Sequence, residues 1–421
     1  MTDRPLGFDT LAIHAGADPD PATGARQVPI YQTTAYVFRD ADHAAKLFNL
    51  QEVGYIYSRL TNPTVSALAN RVVALEGGAG GIACSSGHAA QIMALFPLMQ
   101  PGRNVVASTR LYGGTIQQFS NTIRKFGWSA KFVDFDDPKE IEKAIDGDTR
   151  ALFCETICNP GGALSDIDAI ARVADMAGIP LIVDNTTASP YLCRPIEHGA
   201  TIVVHSATKY LTGNGTVTGG IVVDSGKFNW SASDKFPSLS QPEPAYHGLV
   251  FHPTLGNMAY TFHSIAIGLR DLGMTMNPQG AHYTLMGIET LSLRMQRHVE
   301  NAQIVAEYLD QDPRVSSVTY PGLKSSPYFH LAKMITPKGP GALFTFSVKG
   351  GYEACVKLID NVKLFSHVAN LGDTRSLIIH PASTTHRQLS EDAQIRAGAA
   401  PDTVRLSIGI EDVRDIIADL D

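Results

Sequence analysis

Lys209 stands at the end of "TIVVHSATK", between Ser206, Thr208 and a run of glycines at 213, 215, 219 and 220. A lysine amine is a poor nucleophile at its ordinary pKa, but desolvation or a cationic neighbour lowers that pKa and lets the amine condense with a carbonyl. By itself such a lysine reads as a solvated surface residue, as most lysines are. Asp184 shifts the balance, because it closes the apolar run "PLIVD". A carboxylate at the end of a buried strand costs several kcal/mol unless it caps a turn or meets a cation or strong donors.

A protonated pyridine nitrogen is such a cation, and a lysine with an aspartate facing the ring is the recurring arrangement around pyridoxal phosphate. That cofactor also needs an anion cradle. "SSGHAAQIMALF" (85–96) places Gly87 and His88 where a helix begins, so their amides would suit a phosphate; the plainer reading is a serine N-cap with His88 as a polar first-turn residue. The hydroxyls of Ser206 and Thr208 could add donors, and "IYSRLTNP" offers Tyr57 and Arg59, an arginine being suited to bidentate phosphate binding. Tyr112, in "LYGGT", is placed to stack on a ring or move a proton, or is simply an aromatic at the rim.

The elements that must position these residues are legible as an alternation. Short apolar runs at 104–108, 130–135, 150–156, 180–185, 201–206 and 219–224 are separated by helical segments such as "IDAIARVADMAG". This pattern predicts a mostly parallel sheet covered on both faces, with a ligand site beyond the carboxyl ends of the strands. Asn159, Asp184, Ser206, Thr208 and Lys209 all follow strand ends. "PTVSALANRVVALEGG" predicts a capped helix ending at glycine. We divide the chain into an extended N-terminal arm (1–64), an α/β domain (65–260) and a smaller α+β domain (261–421) carrying strands in "GALFTFSV", "SLIIH" and "TVRLSIG".

Composition narrows the partners. With 421 residues, 44% hydrophobic and 18% charged, the chain fits a globular protein whose surface is partly covered by other subunits. A net charge of −7 without basic blocks argues against nucleic acid. No run approaches a membrane span, and the N-terminal text lacks a secretory pattern, so a cytoplasmic protein is expected. The five cysteines (84, 154, 158, 193, 355) form no CxxC pair, which predicts reduced structural thiols and no metal site.

Taken in order, "TLAIHAGADPDPATGARQVPIYQTTAYVF", "PLIVDNTTASPYLCRPIEHGATIVVHSATKY" and "NLGDTRSLIIHPASTTHRQL" resemble the pyridoxal-phosphate-dependent Cys/Met metabolism family over nearly the whole chain. The resemblance implies an aspartate-aminotransferase-like fold (fold type I). It implies Lys209 as the Schiff-base lysine and proton carrier, Asp184 on the pyridine nitrogen, Tyr112 on the ring and Asn159 on the ring hydroxyl. Gly87, His88, Ser206 and Thr208 match phosphate positions; Tyr57 and Arg59 match positions that reach a neighbouring subunit, within a homotetramer. Arg405 matches the arginine that grips a substrate α-carboxylate, with Asn370 and Tyr57 also on the substrate side. The implied reaction is γ-replacement, turning O-acetylhomoserine and sulfide, or a thiol such as methanethiol, into homocysteine or methionine and acetate. γ-Elimination from methionine, cystathionine chemistry and an O-succinyl donor are the alternatives. The family's γ-lyases carry a cysteine after "YG" where this chain has Gly114, which favours replacement.

Overall fold

The computed structural model describes residues 4–421, so the first three residues of the predicted arm lie outside the described residues. Two compact units emerge. The first comprises Met1–Met99, Thr201–Thr208 and Thr216–Glu289, the second Gln100–Ala200, Lys209–Gly215 and Thr290–Asp421.

In the first unit the helix Pro63–Glu76 forms as its sequence predicts. Asn62 caps it by accepting from Thr64 N–H at 3.0 Å, Pro63 opens the first turn, and Gly77 ends it at φ 76°. The region before it is less extended than expected, since Phe8–His14 and Ala41–Phe48 are helical. Asp40 caps the second of these by accepting from His43 N–H (2.7 Å), and Arg71 Nε holds the end of the first through the Ala15 carbonyl (2.8 Å). Three strands lie in the order Gly80–Cys84, Gly220–Asp224, Ile202–Ser206. Gly220–Asp224 runs antiparallel to both neighbours, contrary to the parallel reading of its apolar run. The segment joining it to Ile202–Ser206 contains no crossover helix, and without one a parallel return is out of reach.

In the second unit four strands are parallel, in the order Leu181–Asp184, Thr149–Glu155, Asn104–Ser108, Ser129–Val133. Their central members are buried throughout, as continuous apolar runs require. The helix Ile167–Ala177 is capped by Asp166, which accepts from Ala169 N–H (2.9 Å), and stops at Gly178. A second sheet has the order Ser366–His367, Leu377–Ile379, Thr403–Ser407, Leu343–Val348, Val315–Thr319. Phe344, Phe346, Val404, Leu406 and Ile378 from this sheet pack with Ala302 and Val305 of the long helix Leu291–Gln311. Each large side chain so buried contributes about 2 kcal/mol.

Candidate active site

In the second unit the Lys209 amine donates to Asn370 Oδ1 at 2.6 Å. Burial first, and the positive Arg405 second, pull this amine down to about 8. The neutral, nucleophilic form is therefore far more accessible near neutral pH than for a solvated lysine.

Arg405 owes its position to strand alternation. Val404 and Leu406 enter the apolar cluster, which turns Arg405 to the opposite face of Thr403–Ser407. Its side chain is buried, with Nη1 donating to Asn159 Oδ1 (2.9 Å) and Nη2 to the Asn370 carbonyl (2.7 Å), while Nε has no hydrogen-bond partner among the described residues. Burial lowers its pKa to about 10. A buried guanidinium held by neutral oxygens is poised to bind an anion, and a carboxylate matches its fork.

Asp184 ends Leu181–Asp184, half-buried, and Oδ1 accepts from Thr186 N–H at 3.0 Å. It lies in register with Glu155, the last residue of Thr149–Glu155. Glu155 carries no role in the sequence reading, yet it is buried and its two oxygens accept from two backbone amides, Tyr112 N–H at 2.7 Å and Asn159 N–H at 2.8 Å. The available signal was the one that revealed Asp184, an acid closing an apolar strand. Tyr112 itself precedes the helix Gly113–Gln117 and remains partly exposed, as a ring-stacking residue at a strand exit would be.

The first unit holds the predicted phosphate residues. Gly87 opens the helix Gly87–Leu95, capped by Ser86, which accepts from Ala89 N–H at 3.1 Å; His88 is its exposed second residue. A Cβ on Gly87 would lie 2.7 Å from Ser206 Cβ, and one on Gly220 would strike the Ser86 carbonyl, so both glycines are needed for the helix start to approach the strand ends. Thr208 Oγ1 accepts from Gly219 N–H at 3.1 Å. Gly213 and Gly215, in the second unit, have left-handed backbones and pack under Arg294 and Asp373. They shape the turn after Lys209. Tyr57 and Arg59 are exposed neighbours in the first unit, the guanidinium 5.5 Å from the ring centre, and Arg59 Nη1 donates to the Arg270 carbonyl at 2.6 Å.

A cavity of about 710 Å³ in the second unit is lined by Arg110, Asp134, Cys158, Tyr328 and Arg396, and not by Lys209. Arg110 there is already paired with Asp134 and Asp136, so the lysine and not this cavity marks the chemistry. Among the described residues no group of three or more His, Cys, Asp or Glu is arranged to hold a metal, and no helix is long and apolar enough to cross a membrane. All five cysteines are buried and none is in a disulfide; burial lifts Cys84 and Cys154 to about 12 and Cys355 to about 11, and raises Cys158 as well.

The family model for Cys/Met metabolism PLP-dependent enzymes matches residues 9–421. The chain belongs to this family. Among its relatives, homocysteine synthase of Schizosaccharomyces pombe is 50% identical over 98% of this chain and 96% of that protein. O-acetyl-L-homoserine sulfhydrylase of Leptospira meyeri is 48% identical over 98% of this chain and 95% of its own length. The crystal structure of a candidate O-acetylhomoserine (thiol)-lyase from Campylobacter jejuni, in which a lysine bears a pyridoxyl phosphate, superposes with a TM-score of 0.96 at 43% identity, covering 99% of both chains. The fold is accordingly the aspartate-aminotransferase-like fold type I, and this Cys/Met metabolism enzyme uses pyridoxal phosphate. Its own residues fit that cofactor: a half-buried lysine with a lowered pKa, a carboxylate at a strand end, and a helix start drawn close to Ser206.

Proposed function

We propose that this enzyme catalyses γ-replacement on O-acetyl-L-homoserine, with sulfide as the acceptor, yielding L-homocysteine and acetate. The observation that carries the chemistry is the run of hydrogen bonds from Lys209 through Asn370 to buried Arg405, which sets a readily deprotonated amine beside an anion-binding guanidinium. The choice of donor rests on the two relatives near 50% identity.

Pyridoxal phosphate, when bound, supplies an aldehyde that condenses with amines and a ring that accepts electrons from the substrate's α-carbon. Lys209 would hold it, with Asp184 keeping a proton on the ring nitrogen, Tyr112 against the ring, Asn159 on its hydroxyl, and Gly87, His88, Ser206 and Thr208 on the phosphate. Arg405 fixes the substrate's α-carboxylate, with Asn370 and Tyr57 beside it. Lys209 Nζ would remove the α-proton and, once it has given that proton up to the electron-accepting cofactor, a β-proton. Acetate leaves the γ-carbon, hydrosulfide bonds there, and the protons return to the β- and α-carbons.

The finer assignments follow the same reading. A homotetramer with sites completed by a neighbour's Tyr57 and Arg59 accounts for two large polar-tipped residues lying exposed together. Cysteines outside any disulfide suit a cytoplasmic location. The test mixes the purified enzyme, pyridoxal phosphate, O-acetylhomoserine and sulfide. Homocysteine and acetate should appear in equal amounts, and Lys209→Ala should fold normally yet lose on the order of a thousandfold or more in rate. Ketobutyrate from methionine as the dominant product would overturn the assignment.

A further inference from the structure

Glu155 is a buried acid that the proposed chemistry does not use. Its side chain is spent on two backbone amides from different loops, one oxygen on Tyr112 N–H (2.7 Å) and the other on Asn159 N–H (2.8 Å). Tyr112 follows the strand Asn104–Ser108, whereas Asn159 follows Glu155's own strand. The connection continues from Asn159 Oδ1 to Arg405 Nη1 (2.9 Å), from Arg405 Nη2 to the Asn370 carbonyl (2.7 Å), and from Asn370 Oδ1 to Lys209 Nζ (2.6 Å). One carboxylate thus anchors a chain of contacts that ends on the lysine amine.

We infer that Glu155 is a positioning residue: its carboxylate, by accepting from both amides, sets Tyr112 and Asn159 at the spacing that pyridoxal phosphate requires. A carboxylate presents two acceptor oxygens and no N–H, so it meets two facing amides with one oxygen each. Charged acceptors make the stronger hydrogen bonds, and a buried amide left without its acceptor is costly. Burial and the neighbouring Asp184 push Glu155 towards the neutral acid, while the two amides oppose them. A cation facing Asp184 would relieve that repulsion. The clamp and the binding of a protonated ring would therefore reinforce one another.

This inference rests on the assignment of Tyr112 and Asn159 to the cofactor ring, so its test reads cofactor binding and not turnover. Apo protein is titrated with pyridoxal phosphate in four forms: wild type, Glu155→Gln, Tyr112→Ala and the double variant. Glutamine keeps the shape but turns an N–H2 towards one amide. We expect Glu155→Gln to weaken binding about tenfold or more in the wild-type background, and by less than about a third of that factor once the Tyr112 ring is gone. An equal factor in both backgrounds, or unchanged affinity, would overturn the inference, since a purely structural acid would not couple to that ring. Should the glutamine variant fail to fold, Glu155→Asp, which keeps the charge but spans one amide, carries the same cycle. Failure of wild type to make homocysteine, with the cycle intact, would defeat the proposed activity and leave the clamp standing.

Discussion

Lys209 and Arg405 show how two cations can share one buried neighbourhood to chemical advantage. Each is held by neutral oxygens of Asn370 and Asn159, burial lowers both, and the positive Arg405 adds a smaller downward pull on the lysine. The sign for the lysine is downward, from 10.5 to about 8. Capture of pyridoxal phosphate by apo protein should therefore speed up as pH rises through about 8 and then level off. Arg405→Leu removes the cation that favours the neutral amine, so the midpoint should move upward; a rate profile by stopped-flow absorbance measures it, and a downward shift would contradict the coupling. Lysine and aspartate were conspicuous in the sequence because charge at the end of an apolar run is physically expensive. Glu155 closes an apolar run in the same way, but nothing in the sequence suggested a role for it, because its partners are amides 43 and 4 residues away and amides carry no residue-type signal.

Strands and helices were readable to the extent that one segment's own pattern decided its state. The buried parallel runs and the capped helix Pro63–Glu76 declare themselves through continuous apolar text and terminal residues. Gly80–Cys84 does not, since two glycines have no strand preference and the segment becomes a strand by pairing with Gly220–Asp224. Phe8–His14 and Ala41–Phe48 span only 7 and 8 residues and bury one residue each, too short for a helical period to stand out in the sequence. The helix Gly87–Leu95 carries a sharper consequence, because its first residue lies against Ser206. In Gly87→Ala the new methyl at 2.7 Å from Ser206 Cβ must push the helix start away. We expect pyridoxal phosphate affinity to fall about tenfold while the melting temperature of the apo protein changes by only a few degrees. Unaltered affinity would separate this helix from the phosphate.

At the level of the whole molecule, shared sites make a prediction that separate sites do not. Lys209→Ala and Arg59→Ala subunits are each inactive in a dimer whose sites draw on both chains, but a hybrid contains one site with neither change. Random mixing after dissociation should restore about a quarter of wild-type activity. No recovery on mixing would mean that each chain completes its own site. The resemblance that implied this sharing could be seen over nearly the full length of the chain, because its motifs sit at strand exits spread across the sequence rather than in one block.

The buried cysteines acquire a different meaning in an enzyme that handles hydrosulfide. Thiol exchange and persulfide formation begin from a thiolate or an accessible disulfide; burial holds the Cys84, Cys154 and Cys355 thiols at about 11 or above, and none of the five cysteines is in a disulfide. The same apolar packing that fills the core thereby keeps these thiols unreactive towards the enzyme's own reagent, so that sulfur is directed to the γ-carbon of the substrate and not to the catalyst.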